Sequence, residues 1–332
     1  MKTQQIVLAA RPKGMPDADT FRFEDIEIPD LQQGEVLLKG LYYSVDPYMR
    51  GRMNDKKSYS APFEIDKPIF GGVVAEVEDA NGTDLEKGDL VTGMLPWSKK
   101  IVSAEKKLKK IDASFAPPSY YLSILGMTGL TAYFGLIHIG KPKDGETVVV
   151  SGAAGAVGIV VGQIAKIHGC RVIGIAGSDE KIEMLKGKFG FDGGINYKTT
   201  PDMKKAIAKA CPDGVDIYFD NVGGEVSDAV ISNINFHARI PLCGQISLYN
   251  DTEIPTGPRV QPTMVTHSVL MQGFIVSKYS DQFPEGMAQL EEWVKEEKLK
   301  FTETIIEGFD QLPEAMLSLF SGGNTGKMVV KA

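Results

Sequence analysis

Residues Thr147 to Lys166 read TVVVSGAAGAVGIVVGQIAK. Four apolar or β-branched residues, Thr147 to Val150, run into a glycine-rich turn. An apolar-periodic segment through Val160, Ile164 and Ile167 follows, which gives the order strand, turn, helix. Counting back from Gly158 by three residues and then two reaches Gly155 and Ala153. The dinucleotide fingerprint is therefore present as A-x-G-x-x-G, with alanine at its first glycine. A side chain at Gly155 would hold the backbone away from a pyrophosphate, and one at Gly158 would push the helix off the strand. The free N–H groups at the helix start, with the positive end of the helix dipole, favour bound phosphate.

Downstream, strand-like and helix-like segments alternate. RVIGIAG is followed by a helix near Asp179 to Phe189, a short strand GGINY and a helix near Asp202 to Ala210. Then come the strand VDIYFDNV, a helix over Glu225 to Ile234, the strands ARIPLCG and QGFIV, and a helix over Phe283 to Lys298. This alternation predicts an α/β fold with a doubly wound parallel sheet. Upstream, as far as about Ile111, many short strand-like runs are punctuated by Gly34, Gly71, Gly72, Asn81-Gly82 and Gly88-Asp89, as expected of a β-rich unit. Pro117-Pro118 marks the boundary between the two patterns, and Tyr120 to Ile139 reads as helical. Phe301 to Ala332 holds a last helix near Pro313 to Phe320 and the strand KMVVKA. The expected organisation is a β-rich domain over 1–120, completed by 300–332, and a nucleotide-binding domain over 121–299.

A length of 332 residues favours two domains. With 43% hydrophobic and 24% charged residues the composition is that of an ordinary globular protein. The formal net charge of -7 argues against a general nucleic-acid or membrane-surface binder. The dense basic run Lys106, Lys107, Lys109 and Lys110 reads as a solvated strand or turn. Cys170, Cys211 and Cys243 are odd in number and far apart, so neither a disulfide framework nor a Cys-x-x-Cys site is visible. His138, His168, His237 and His267 show no ligand spacing, and no metal site is expected. The N-terminal apolar run is too short for a signal peptide and no run reaches membrane-spanning length, so cytoplasmic residence is expected.

In a doubly wound sheet the ligand lies across the carboxyl ends of the strands, which places Asp220 to Gly224, Cys243-Gly244 and Phe274-Ile275-Val276 at the rim. Asn221 with its glycine pair reads as functional there, and the side chain of Cys243 as packing. The second strand ends Ile175-Ala176-Gly177-Ser178 with no acid at its tip to receive a ribose hydroxyl. Ser178-Asp179 reads as an N-cap and first turn, and Lys181 is placed to receive a 2′-phosphate. The expected cofactor is NADPH.

SVDPYMRGRM at Ser44 to Met53, AAGAVG at Ala153 to Gly158, GSDEK at Gly177 to Lys181, DNVGG at Asp220 to Gly224 and CGQISLYN at Cys243 to Asn250 together resemble the zinc-free medium-chain dehydrogenase/reductases. Within that family the chain is similar to the branch of prostaglandin, alkenal and curcumin reductases, from Leu8-Ala9-Ala10-Arg11-Pro12 to Gly326-Lys327. The resemblance implies a GroES-like β domain, a Rossmann domain, an active-site cleft between them and a homodimer. It also implies that Ala156, Val157 and Gly158 meet the pyrophosphate and that Lys181 and Tyr197 meet the 2′-phosphate. Asn221, the stretch Cys243 to Tyr249 with Gly244 and Ser247, Phe274 to Val276 and Asn324 would line the rest of the cofactor.

Tyr43-Ser44-Val45-Asp46 lacks the cysteine that would ligate catalytic zinc, and no cluster of four cysteines exists for structural zinc. Without a Lewis acid, a suitable substrate is one whose developing charge hydrogen bonds can carry, as in an α,β-unsaturated ketone or aldehyde attacked by hydride at its β-carbon. Tyr249 is the candidate donor to the carbonyl oxygen, against the alternative of a ring packed beneath its loop. Tyr48 and Met49 are candidates for the substrate pocket, against a turn with a packed ring. Asn250 to Gln261 reads as a mobile rim. The alternatives are an NADPH quinone oxidoreductase and a non-catalytic cofactor-sensing protein.

Overall fold

The computed structural model describes residues 1–332, and the chain divides into two compact units. Unit 1 holds residues 1–123, 303–324 and 328–332; unit 2 holds 124–302 and 325–327. The divisions fall three residues beyond the expected 120 and 299. Thr325 to Lys327 goes with unit 2 because the Gly326 N–H donates to the Ala154 carbonyl at 2.7 Å.

Unit 1 begins with β1 (Lys2–Leu8) and β2 (Phe21–Glu27), which pair antiparallel. Next come β3 (Glu35–Ser44), the short helix α1 (Tyr48–Arg52), β4 (Phe70–Asp79), β5 (Leu90–Pro96), β6 (Lys100–Ala104) and β7 (Lys109–Lys110). Alternating burial along β3 puts Val36 and Leu38 in the core, with Val73 of β4, Val91 of β5 and Trp97 just after β5. A Cβ on Gly71 of β4 would lie 2.6 Å from Met49 Cε and 3.3 Å from Trp97 Nε1, so a larger residue there would have to displace the end of the Met49 side chain. The lysine run is an exposed turn and edge strand, with Lys110 Nζ 2.7 Å from Asp89.

Unit 2 opens with α2 (Met127–Phe134) and a π-helical turn over Gly135–Gly140. Its sheet consists of β8 (Thr147–Ser151), β9 (Arg171–Ala176), β10 (Gly193–Asn196), β11 (Val215–Phe219), β12 (Ile234–Leu242) and β13 (Leu270–Gly273). Between and after them run α3 (Ala156–Ile167), α4 (Asp179–Phe189), α5 (Met203–Ala210), α6 (Gly224–Ile231), α7 (Gln261–Thr266) and α8 (Phe283–Lys295). The order β10-β9-β8-β11-β12-β13, parallel at every pairing, is a doubly wound sheet that reverses direction between β8 and β11. Ser178 caps α4 and Asp202 caps α5, each accepting from a backbone N–H three residues on.

The chain then returns to unit 1 as β14 (Glu303–Glu307), α9 (Leu312–Ser318) and β15 (Lys327–Lys331). There β15 lies against β3, in the order β14-β15-β3-β4-β5-β7. No helix is long and apolar enough to cross a membrane.

Three local expectations are corrected. The last strand of unit 2 is Leu270–Gly273 rather than QGFIV, because Phe274 leaves the sheet to set its ring edge-on to Phe219, centroids 6.3 Å apart. The helix over Glu225 to Ile234 ends at Ile231, and Ile234 already pairs with Val215 in the sheet. The helix begun at Phe283 ends at Lys295, where Glu297 adopts a left-handed φ of 56°.

Candidate functional site

The turn after β8 is built around three glycines, Gly152, Gly155 and Gly158. Gly152 carries the left-handed backbone, φ 58°, so the residue after it need not be glycine. Ala153 fits there because Gly174 on β9 leaves it room: a Cβ on Gly174 would come within 2.9 Å of the alanine methyl. At Gly158 a Cβ would lie 2.4 Å from the Gly152 carbonyl oxygen, so α3 can approach the strand only with glycine there. Gly155 is the N-cap of α3 and offers no side chain, so the N–H groups of Ala156, Val157 and Gly158 meet no side-chain cap. That cradle fits a pyrophosphate.

At the end of β9, the Ser178 hydroxyl accepts the Lys181 N–H at 3.3 Å and is hydrogen-bonded to Glu180. Asp179, the nearest acid, accepts from Asn196 Nδ2 at 2.8 Å. Tyr197 and Lys198 lie over Gly177: a Cβ there would come 3.2 Å from the Tyr197 hydroxyl and 3.3 Å from Lys198 Cε. Burial and, secondarily, the neighbouring Lys198 charge push the Lys181 ammonium below its ordinary pKa. Ser178, Lys181, Tyr197 and Lys198 thus form a cationic corner that suits a phosphate dianion. Lys198 was not singled out from the sequence. Its only sequence signal is that it follows GGIN, the strand beside the one that ends at Ser178.

Beyond the switch point, the loops after β11 and β12 are bound to each other through Asp220, which is fully buried. Its Oδ1 accepts from Ser151 Oγ at 3.1 Å, Tyr218 Oη at 2.8 Å and the N–H groups of Val222 and Gly223 at 3.0 and 2.9 Å. Its Oδ2 accepts from Ser227 Oγ at 2.9 Å and Gln245 Nε2 at 3.3 Å. The sequence placed Asp220 at the rim without assigning this role. Asn221 donates from Nδ2 to the Ser151 carbonyl at 2.8 Å, and Ser247 donates from Oγ to the Val222 carbonyl at 2.7 Å. Cys243 and Gly244 donate their N–H groups to the Asp220 carbonyl at 2.9 and 3.1 Å. Burial and, next, Asp220 push the Cys243 thiol up to about 12, so it is no nucleophile.

This platform holds Tyr249. Its hydroxyl oxygen accepts the Gln245 N–H at 3.2 Å and lies over Gly244, where a Cβ would come equally close. The phenolic hydrogen therefore remains to be donated elsewhere. Burial holds the Tyr249 pKa above its ordinary value, only partly offset by the Gln245 bond. Phe274, Ile275 and Val276 are half-buried beyond β13, and a Cβ on Gly135 would reach 2.5 Å from the Phe274 ring. Gly326 pairs with Gly155 beside the phosphate turn, and Asn324 stands two residues before it in the chain.

Unit 1 contributes separate features. Met49 is fully buried in its core. Tyr48 keeps its hydroxyl buried with no hydrogen-bond partner, and burial followed by Asp46 raises that hydroxyl well above its ordinary pKa.

A family profile described as the N-terminal domain of oxidoreductase matches residues 4–111, and one described as zinc-binding dehydrogenase matches 156–292. A Bacillus subtilis (strain 168) protein named as NADP-dependent oxidoreductase YfmJ is 61% identical over 330 residues, covering 99% of this chain and 97% of the relative. The chain belongs to the medium-chain dehydrogenase/reductase family. Another similar sequence is the NADPH-dependent curcumin reductase of Escherichia coli (strain K12), 42% identical with 99% of this chain and 97% of the relative covered. A solved medium-chain structure, CurA from Vibrio vulnificus in complex with NADPH, superposes with a TM-score of 0.95 at 44% identity, covering 99% of each chain. One profile's description names zinc, yet no three His, Cys, Asp or Glu side chains of this medium-chain dehydrogenase/reductase come together as ligands. The donor set does not fit a zinc ion, and no step is drawn through one.

Proposed function

We propose that the protein reduces the carbon-carbon double bond of α,β-unsaturated ketones or aldehydes with NADPH and without metal. The observation that carries this reading is the Tyr249 hydroxyl, which accepts a backbone N–H at 3.2 Å and so keeps its own hydrogen for a substrate oxygen. The relatives named as curcumin, alkenal and prostaglandin reductases support it.

The glycine cradle at Gly155 to Gly158 would hold the pyrophosphate, and the corner of Ser178, Lys181, Tyr197 and Lys198 the 2′-phosphate. Asn221, the loop from Cys243 through Gly244 and Ser247 to Tyr249, Phe274 to Val276 and Asn324 would hold the rest. Bound NADPH supplies the hydride that adds to the β-carbon. Negative charge then builds on the substrate carbonyl oxygen, Tyr249 stabilises it by donating a hydrogen bond, and a proton taken from solvent water at the α-carbon completes the reduction. Asp220 fixes the loop that carries Tyr249, so the donor is oriented before substrate arrives. Tyr48, a neutral donor without a partner in unit 1, is the candidate there for a substrate contact, whereas Met49, fully buried in the unit 1 core, packs rather than lines a pocket.

The protein is further proposed to be a homodimer. In unit 2 the strand β13 is the last of its sheet, with Leu270 45% exposed, and Phe236 and Val265 are 68% and 78% exposed.

The deciding experiment follows NADPH oxidation across short alkenals, aryl enones and quinones in the presence of a chelator. Turnover of enones to saturated ketones is expected. Turnover of quinones alone would make it a quinone oxidoreductase. Oxidation that ceases with chelator and returns with zinc would remove the metal-free mechanism.

A further inference from the structure

At the amino edge of the unit 2 sheet, the C-terminal ends of α3 and α4 and the connector after α8 line an open, solvent-facing depression of about 410 Å³. This is the far end of α3 from the glycine cradle, a helix of 12 residues and so about 18 Å long. Lys166, Lys188, Lys298 and Lys300 line it and no acidic residue does, in a chain with a formal net charge of -7. Lys166 Nζ lies 2.9 Å from Asp192 and Lys298 Nζ 2.8 Å from Glu296. Lys188 and Lys300 pair with no carboxylate; Lys188 Nζ sits 5.2 Å from the centroid of the Phe189 ring. Two positive charges are left uncompensated.

Helix dipoles account for part of this cluster, since Lys166 and Lys188 stand in the last turns of α3 and α4, where a cation is favoured. They do not account for Lys298 and Lys300, which follow the end of α8 at Lys295. The connector is held in place by Gln163, only 4% exposed, whose Nε2 also donates to the Ile159 carbonyl at 3.1 Å and whose two polar atoms both bond the Lys300 main chain. Its Nε2 donates to the Lys300 carbonyl and its Oε1 accepts the Lys300 N–H, each at 2.8 Å. A buried amide thus fixes the backbone that carries one of the two unpaired lysines.

We infer that this pocket binds a small phosphorylated organic anion carrying at least two negative charges. Two uncompensated ammonium groups match a phosphate, for which lysine acts as a point charge. Half-buried Ile167 and the edge of the largely buried Phe189 ring give the depression a small apolar floor for the organic part. The volume lies within the range of roughly 300–1,000 Å³ common for small-ligand sites.

The test is calorimetric titration of the NADPH-saturated protein with pyrophosphate at low ionic strength, so that the phosphate sites of the cofactor are already filled. Lys188 and Lys300 are exposed, and their replacement leaves the core untouched. The double variant Lys188→Gln/Lys300→Gln should weaken pyrophosphate binding by about tenfold or more, as expected for losing two charge-assisted contacts. Lys106→Gln/Lys107→Gln removes the same charge from an exposed turn and should change the affinity less than about twofold. A phosphorylated sugar should bind more tightly than pyrophosphate if the apolar floor contributes. Absence of pyrophosphate binding, or equal weakening by both double variants, would overturn the site.

Discussion

The Tyr249 hydroxyl takes a backbone hydrogen at 3.2 Å and sits in surroundings that raise its pKa, so the neutral donor form persists above the ordinary tyrosine range. Tyr249→Phe should therefore lower kcat on enones by on the order of 100- to 1000-fold while leaving NADPH affinity intact, read in single-turnover experiments. Because the folded pKa is raised, the parent's rate should stay flat on the alkaline side to beyond pH 10, about the pKa of free tyrosine. An alkaline limb near pH 8 would assign the titration to another group. At the corner proposed for the 2′-phosphate, burial and then the Lys198 charge lower the Lys181 pKa, and a phosphate dianion would relieve that repulsion. Lys198→Ala should raise the KM for NADPH about tenfold and leave that for NADH nearly unchanged; equal effects would place Lys198 outside the phosphate corner.

Among the elements, the loops after β11 and β12 depend on one carboxylate. Asp220→Ala would strand Ser151 Oγ, Tyr218 Oη and the Gly223 N–H in a dry interior, at a cost of about 3 kcal/mol or more, measurable as a lower denaturant midpoint. The expected denaturation carries a functional sign as well: Tyr249 should lose its orientation, so residual folded enzyme should show depressed kcat. Local sequence signals made much of this level legible. The β-branched run at Val148 to Val150 and the glycines at 155 and 158 declare strand, turn and helix, and Ser178 and Asp202 declare their caps. What was illegible depends on distant partners. Phe274 looks like a strand residue until Phe219 and Gly135 are brought beside it. Asp220 looks like a turn residue until Ser151, Ser227 and Gln245 converge on it, and Lys198 acquires meaning only through the parallel pairing of β10 with β9. The five-residue helix α1 is too short to leave a periodic trace.

For the whole molecule, the proposed dimer predicts a sedimenting species of twice the chain mass, and Leu270→Lys at the exposed end of β13 should shift it toward monomer. A parent protein that sediments as a monomer at micromolar concentration would remove that proposal. The pairing of β3 with β15, Ser44 opposite Val329, has a consequence for how the chain is made. Synthesis at roughly 5–20 residues per second leaves the Tyr42 to Ser44 end of β3 without its partner for on the order of a quarter of a minute to a minute. During that interval all of residues 124–302 emerges and can complete unit 2, while in unit 1 β6 covers Glu35 to Lys39 of β3 and the Tyr42 to Ser44 end of the strand stays unpaired on that side. Strand β15 thus completes a unit that the first 123 residues begin. A chain stopped at Gly326 should accumulate in the insoluble fraction with unit 2 already protected from protease, and a soluble, uniformly protected fragment would show that β3 needs no such closure.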